Sequence, residues 1–576
     1  VSCKLYSSRL LPLLLLALLL ASGRAIAAQT LQPQDALQHH DVIQHIVVIF
    51  DENISFDHYF GTYPVALNPP GEPAFHAAAN TPHVDGLTPA LLTANPNFTN
   101  PANGAGRANP FRLRRDQAAT ADQDHSYQPE QAAFDDGRMD LFPASVGRPD
   151  GPRVPGKNAG VSATSGLTLG YYDGNTVTAM WNYAQHYAMS DRHFDVVFGP
   201  STPGAINLIS GQTNGVVNDQ GAEGGIVEDG HGGFTLIADP DPVGDVCSST
   251  SDALVHMTGP NIGDLLSKAN VTWGFFQGGF DLTVTNPNGT TGCRRSNASL
   301  EEVLKRDYSP HHEPFQYYKS TANPLHTRPT SVAAIGTNAD SANHQYDTHD
   351  FFDAINAGNF PAVSYLKAPS YEDAHAGNST PLDEQKFVVR VINFLEQRPE
   401  WKNTLVIIAY DDSDGWYDHV SAPITNGSAT RRDVLNAPGI CGAAGTALGG
   451  VDPANPHAQG RCGPGPRLPI LMISPWAKPN FVDHSLTDQT SILRLVEDTF
   501  LGGQRIGGGS FDATAGPLDN MLDLSSPHPR NMRQLLLDPE SGLVIAKPAG
   551  HVAQGQVSQG HVAQSQASQG QAAPGN

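Results

Sequence analysis

The sequence predicts an α/β protein, a sandwich of helices around a mainly parallel central sheet with long loop insertions. Two observations carry that expectation. The runs HIVVIF (45–50), AVSYLK (362–367), TLVIIAY (404–410) and RLPILMIS (467–474) are short, mostly β-branched or aliphatic and without clean alternation, so they read as strands buried on both faces. Helical stretches separate them: apolar residues recur three and four apart in DEQKFVVRVINFLEQ from Asp383 and TDQTSILRLVEDTFL from Thr487, each opening on a capping residue. Strands that alternate with helices imply crossover connections and parallel neighbours. In such sheets chemistry collects at the carboxyl ends of the strands.

The elements follow in chain order. Lys4 and Arg9 precede LLPLLLLALLLA (10–21) and a small-residue stretch ending Ala25-Ile26-Ala27, the pattern of a secretory leader over residues 1–27. A membrane anchor is the poorer reading, because the apolar run is short for a bilayer span and contains Pro12. Export to the periplasm or beyond the cell is therefore expected, with no stable membrane anchor. Residues 28–547 read as one catalytic domain, in which the first strand leads into SFDHYFG, a helix start. From Ala66 to about Gly170 the chain is rich in Pro, Asn and Gly and reads as ordered lid or edge loops. NTVTAMWNYAQHYA from Asn175 is a helix, and the Gly-rich stretch from Asn214 to Asp239 is again loop-like. From Gly550 a ten-residue unit, GHVAQGQVSQ, repeats with almost no bulky apolar side chains, so the tail 548–576 is expected to be disordered.

Lys and Arg total 34 against 57 Asp and Glu, a formal charge of -23, which disfavours nucleic acid and anionic membranes as partners. A phosphate-bearing substrate would then need local positive charge, and a bound cation would supply it. Outside the leader the cysteines are Cys247, Cys293, Cys441 and Cys462, an even number that suits an oxidising compartment. Proximity favours Cys247 with Cys293 and Cys441 with Cys462, while the other pairings stay open.

Three polar constellations sit where chemistry is expected. Asp51-Glu52-Asn53 follows the first strand, and Asp411-Asp412-Ser413-Asp414-Gly415 follows TLVIIAY. Adjacent carboxylates repel unless a proton or a cation lies between them, so two such strand ends suggest a metal. Phe198-Gly199-Pro200-Ser201-Thr202-Pro203-Gly204 leads into AINLISG and places Ser201 as the N-cap of a helix, whose free N–H groups stabilise an alkoxide or cradle phosphate. Singly, each is an ordinary turn or cap. A fourth set, His125, His311, His312, His344 and His375, offers phosphate contacts and a general acid.

The stretches HIVVIFDENISFDHYFGTYP, DHSYQPEQAAFDDGRMD, FGPSTPGAINLISGQTNG, HHEPFQYY, KAPSYEDAHAGNSTPLDEQ, VIIAYDDSDGWYDH and DHSLTDQTSILRLVEDTF occur in that order between about His45 and Phe500. Together they resemble the bacterial phosphoesterase family that joins acid phosphatases to phospholipases C. The resemblance implies an alkaline-phosphatase-like fold, a small phosphate ester substrate and a phosphoserine intermediate on Ser201. By motif position it implies that Glu52, Asn53, Asp411 and Asp412 bind a divalent metal ion with Ser201. His125, His311, His312 and His375 would surround the phosphoryl group, His375 protonating the leaving group. Calcium, magnesium, manganese, zinc and iron all remain open to these donors. The family commonly has Gln where this chain has Asp51. GPSTPG carries Ser where the phospholipases resemble GPTxPN, and no long β-rich extension is seen after Lys547, so the acid phosphatase branch is expected, with a phospholipase C as the alternative.

Overall fold

A computed structural model describes residues 39, 41–151, 160–300, 304–442, 458–525, 529 and 532–545. The leader expected over 1–27 and the tail expected over 548–576 lie outside the described residues. Eight strands make the central sheet: β1 (His45–Asp51), β2 (Ala188–Ser190), β3 (Trp273–Gln277), β4 (Gln345–Asp347), β5 (Val363–Lys367), β6 (Thr404–Tyr410), β7 (Ile470–Ile473) and β8 (Phe481–Asp483). Their order is β4-β3-β5-β1-β6-β7-β2-β8. Only β7 runs against its neighbours β6 and β2, and every other pairing is parallel.

All four aliphatic runs become central strands, because Val, Ile and Leu fill both faces of a sheet covered by helices. Ile46, Val47, Val48 and Ile49 of β1 are wholly buried. The flanking helices used below are α1 (Phe56–Phe60), α2 (Tyr127–Phe134), α3 (Thr178–His186), α4 (Ser201–Ser210), α5 (Thr348–Asn356), α6 (Pro381–Glu396) and α7 (Gln489–Phe500). The expected helix from Asp383 starts earlier, at Pro381. Thr380 caps it by accepting from Leu382 and Asp383, and proline is tolerated in a first turn that has no use for its N–H. Asp488 caps α7 in the same manner.

The loop reading needed correction. The Gly-rich stretch from Asn214 to Asp239 holds three short strands, Val216–Gln220, Ile226–Glu228 and Phe234–Leu236, whose pairing comes from partners distant in sequence as well as near ones. Strands β2, β3, β4 and β8 were not anticipated, since each is short and owes its conformation to the sheet it joins. Disulfides link Cys247 with Cys293 and Cys441 with Cys462, the pairs that proximity favoured. No described helix is long and apolar enough to cross a membrane.

Candidate active site

Three neighbouring parallel strands end at one sheet edge, and each delivers a charged side chain there. Lys367 closes β5, Glu52 follows β1 and Asp411 follows β6. The register sets Ile49 beside Leu366 and Asp51 beside Tyr410, so the three charges are lateral neighbours. All three are buried. Lys367 Nζ donates to Asp411 Oδ2 at 2.7 Å and pairs with Glu52 Oε1. Asp411 Oδ1 accepts the backbone N–H groups of Asn53 (3.2 Å) and Asp412 (3.0 Å). Asn53 has a positive φ of 39°, a left-handed turn that asparagine tolerates better than most residues and that redirects the chain after β1.

Ser201 reaches this edge from α4. Its Oγ donates within reach of three oxygens: Asp412 Oδ2 at 3.0 Å, Glu52 Oε2 at 3.1 Å and Asn53 Oδ1 at 3.4 Å. The expected capping role is corrected. Pro200 occupies the cap with extended backbone, and Ser201 is the first helical residue, its hydroxyl turned to the carboxylates. Gly199 supplies the turn before it with φ 129°, a conformation that suits glycine. Glu130 of α2 ties the two loops together: its Oε2 accepts the Gly199 N–H at 2.9 Å and its Oε1 accepts the Ser413 hydroxyl at 2.7 Å. Burial pushes the Glu130 carboxyl up to about 7.

The carboxyls of the edge differ sharply. Burial opposes charge on Glu52, but His312 and Lys367 outweigh it and hold the group well below the usual range. Burial, and then Glu52 beside it, push Asp411 up to about 8, and burial drives Asp412 well above its ordinary value. Three crowded carboxyls thus face a single ammonium. Their oxygens, with the Asn53 amide and the Ser201 hydroxyl, form a hard donor set of the kind that suits a divalent cation.

Residues 43–501 match the Phosphoesterase family. The chain belongs to that family. Among curated relatives, it is 24% identical over 471 residues to the Non-hemolytic phospholipase C of Pseudomonas aeruginosa, covering 79% of this chain and 54% of that protein. It is 25% identical over 511 residues to the Non-hemolytic phospholipase C of Burkholderia pseudomallei, covering 84% of this chain and 59% of the relative. It is 23% identical over 465 residues to Phospholipase C A of Mycobacterium tuberculosis, covering 79% of this chain and 72% of the relative. The chain therefore spans little more than half the length of the first two.

Four of the five histidines singled out in this family member lie around the edge. His312 Nδ1 is 3.0 Å from Glu52 Oε1, and the His311 ring meets it at 4.5 Å while its own Nδ1 lies 3.5 Å from Asp241. His125 Nε2 is 3.4 Å from Asn53 Nδ2, and its Nδ1 is 3.2 Å from Asp414 Oδ1. Burial opposes charge on His125, yet Asp412 and Asp414 raise its pKa well above the ordinary value. His375 meets the His125 ring edge to face at 5.8 Å. Its Nδ1–H donates to the Ala376 carbonyl at 2.6 Å, which leaves Nε2 for proton exchange. His344 is elsewhere: it stacks on Trp273 at 4.3 Å and donates to that residue's carbonyl, a packing role.

Sequence reasoning missed Lys367 and Glu130, and it named Asp414 only as part of an acidic cluster, without its contact to His125. Their signals were present, because Lys367 is a charge at the end of an otherwise apolar run and the other two lie inside the motifs already singled out. Asp51, the departure from the family pattern, neighbours Glu384, Lys367 and Asp373. Burial, then Glu384, raise its carboxyl well above the ordinary range. Glu384 itself accepts the hydroxyls of Tyr59 (2.8 Å) and Tyr410 (2.5 Å).

Proposed function

We propose that this chain is a metal-dependent phosphoric ester hydrolase of the acid phosphatase type, acting through a phosphoserine at Ser201. The observation that carries this reading is the Ser201 hydroxyl at a helix start, 3.0–3.4 Å from Asp412, Glu52 and Asn53. Glu52, Asn53, Ser201, Asp411 and Asp412 would hold a divalent ion. When bound, it would lower the hydroxyl's pKa and neutralise charge on the phosphoryl oxygens.

Ser201 Oγ attacks phosphorus in line, its proton passing to a carboxylate that already accepts its hydrogen bond. The Oγ–P bond forms as the ester P–O bond breaks, and His375 Nε2 protonates the departing alkoxide. Water then attacks the phosphoserine, giving a proton to His375 Nε2 as the Oγ–P bond breaks, and Ser201 Oγ takes back the proton held by the carboxylate. His125, His311 and His312 orient the phosphoryl group. In this reading residues 28–547 are the catalytic domain and the protein works outside the cytoplasm, where its two disulfides persist.

Ser201→Ala should lose on the order of a thousandfold or more in kcat on a chromogenic phosphate monoester while unfolding at the wild-type temperature. Retention of the wild-type rate would overturn the assignment. A second reading, hydrolysis of a phosphodiester headgroup, draws support from the three relatives above, each a phospholipase C. Assaying a choline phosphodiester beside the monoester separates the two.

A further inference from the structure

The segment Asp239-Pro240-Asp241-Pro242 takes no part in the chemistry above, yet it meets the first turn of α4. Asp239 Oδ1 accepts the Thr202 N–H at 2.8 Å. That N–H, one residue past Ser201, belongs to the group of free donors that a helix start offers to a phosphoryl oxygen, and here a carboxylate already holds it. The segment is fixed on both sides of Pro240. The Tyr317 hydroxyl donates to the Pro240 carbonyl at 2.6 Å, and Asp241 donates its N–H to Ala253 at 2.9 Å. Asp241 and Pro242 pair in parallel with Leu254 and Val255. The Asp239 carboxylate is therefore carried by a built wall of the site, not by a free loop.

The titratable groups that feel the Asp239 charge are His311 and Tyr317, and Asp241 acts on both of them as well. Burial opposes charge on His311, but Asp241, Asp239 and Glu52 outweigh it and raise its pKa. Beside the residue that follows Ser201, two carboxylates thus face one imidazole. A negative charge on the N–H next to the phosphoryl acceptor would disfavour a second negative charge on the substrate.

We infer that Asp239 is a specificity-determining residue that restricts the site to phosphate esters bearing a single negative charge. Such substrates are phosphodiesters at any working pH, and monoesters below about pH 6, near which the second phosphate ionisation lies. The inference rests on Ser201 being the phosphoryl acceptor, as proposed above. It accounts for a site that could take a monoester under acid conditions and a diester headgroup with the same residues.

The test compares kcat/KM for p-nitrophenyl phosphate and p-nitrophenylphosphorylcholine at pH 5 and pH 8 in the wild type and in Asp239→Asn, which keeps an acceptor for Thr202 but removes the charge. The diester reports on the enzyme's own ionisations, so the monoester-to-diester ratio isolates the substrate's charge. In the wild type this ratio should fall by about tenfold or more from pH 5 to pH 8, and in Asp239→Asn the fall should shrink several-fold. An equal fall in both proteins overturns the inference, as does an equal loss on both substrates, which would make Asp239 a structural cap. If the wild type turns over neither ester, the phosphoesterase reading fails separately. Calorimetry with inorganic phosphate then decides: Asp239→Asn must bind it more tightly than wild type at pH 8, and equal affinity sinks the proposal.

Discussion

Gly204, in the first turn of α4, lies against the backbone of Asp411: a Cβ placed on it would sit 2.0 Å from the Asp411 carbonyl oxygen. The same carbonyl accepts the Gln489 side-chain amide of α7 at 2.6 Å, so it cannot retreat freely. This close approach brings the helix carrying Ser201 onto the strand end carrying the acidic residues. Gly204→Ala should push α4 away and cost about 1–3 kcal/mol of stability. The displaced hydroxyl should lower kcat by about a hundredfold. Thermal unfolding and steady-state kinetics would show both, and a wild-type kcat would mean that the contact is not what sets the Ser201 geometry.

Lys367 is the only cation paired with Glu52 and Asp411 among the described side chains, apart from the His312 imidazole on Glu52. Replacing it with Met should leave two buried carboxylates without their ammonium and cost about 3–5 kcal/mol. Added divalent cation should then raise the melting temperature of Lys367→Met more than that of the wild type, relative to chelator. Equal increments would show that Lys367 does not share the charge that a metal would balance.

His419 offers a pH-dependent stability term away from this edge. Burial alone would lower its pKa, but Asp57, whose Oδ2 lies 2.6 Å from Nδ1, raises it to about 9. A histidine raised from its unfolded value near 6.5 contributes its full stability below that value and loses it as pH climbs through about 9. Unfolding measured at pH 7 and pH 9 should therefore lose about 2 kcal/mol through this group, a difference that His419→Gln removes. An identical decline in the variant would place the sensitivity elsewhere.

The Cys441–Cys462 disulfide lies close behind the loop that leads into Ser201, since the Cys462 carbonyl accepts the Phe198 N–H at 2.9 Å. Cys441→Ala together with Cys462→Ala should destabilise the protein by about 3 kcal/mol, as expected for a closed loop of this length. Because the loop is also held by Glu130, kcat should fall less than in Gly204→Ala. Chemical denaturation and kinetics on the double variant test both statements.

The apolar runs of β1, β5, β6 and β7 were legible as buried strands, for the burial of unbroken Val, Ile and Leu leaves little choice of environment. The strand-end positions of Glu52, Asn53, Asp411 and Asp412 were legible too, because polar residues placed straight after such runs must emerge at a sheet edge, while Ser201 was legible as the start of a helix. Strands β2, β4 and β8 could not be read, since three residues carry too little pattern, nor could β3, whose WGFFQ lacks the aliphatic run of the others; all four take their conformation from neighbours in the sheet.

What residue order alone determined was the class of fold and the residue types of the site. Only the tertiary structure decided that Lys367 stands between Glu52 and Asp411, that Ser201 opens its helix and turns its hydroxyl to the carboxylates, and that Asp239 already holds the Thr202 N–H. Each depends on which strand lies beside which and how closely a helix packs. Those distances are set by contacts between segments tens to hundreds of residues apart, so no local stretch of sequence contains them.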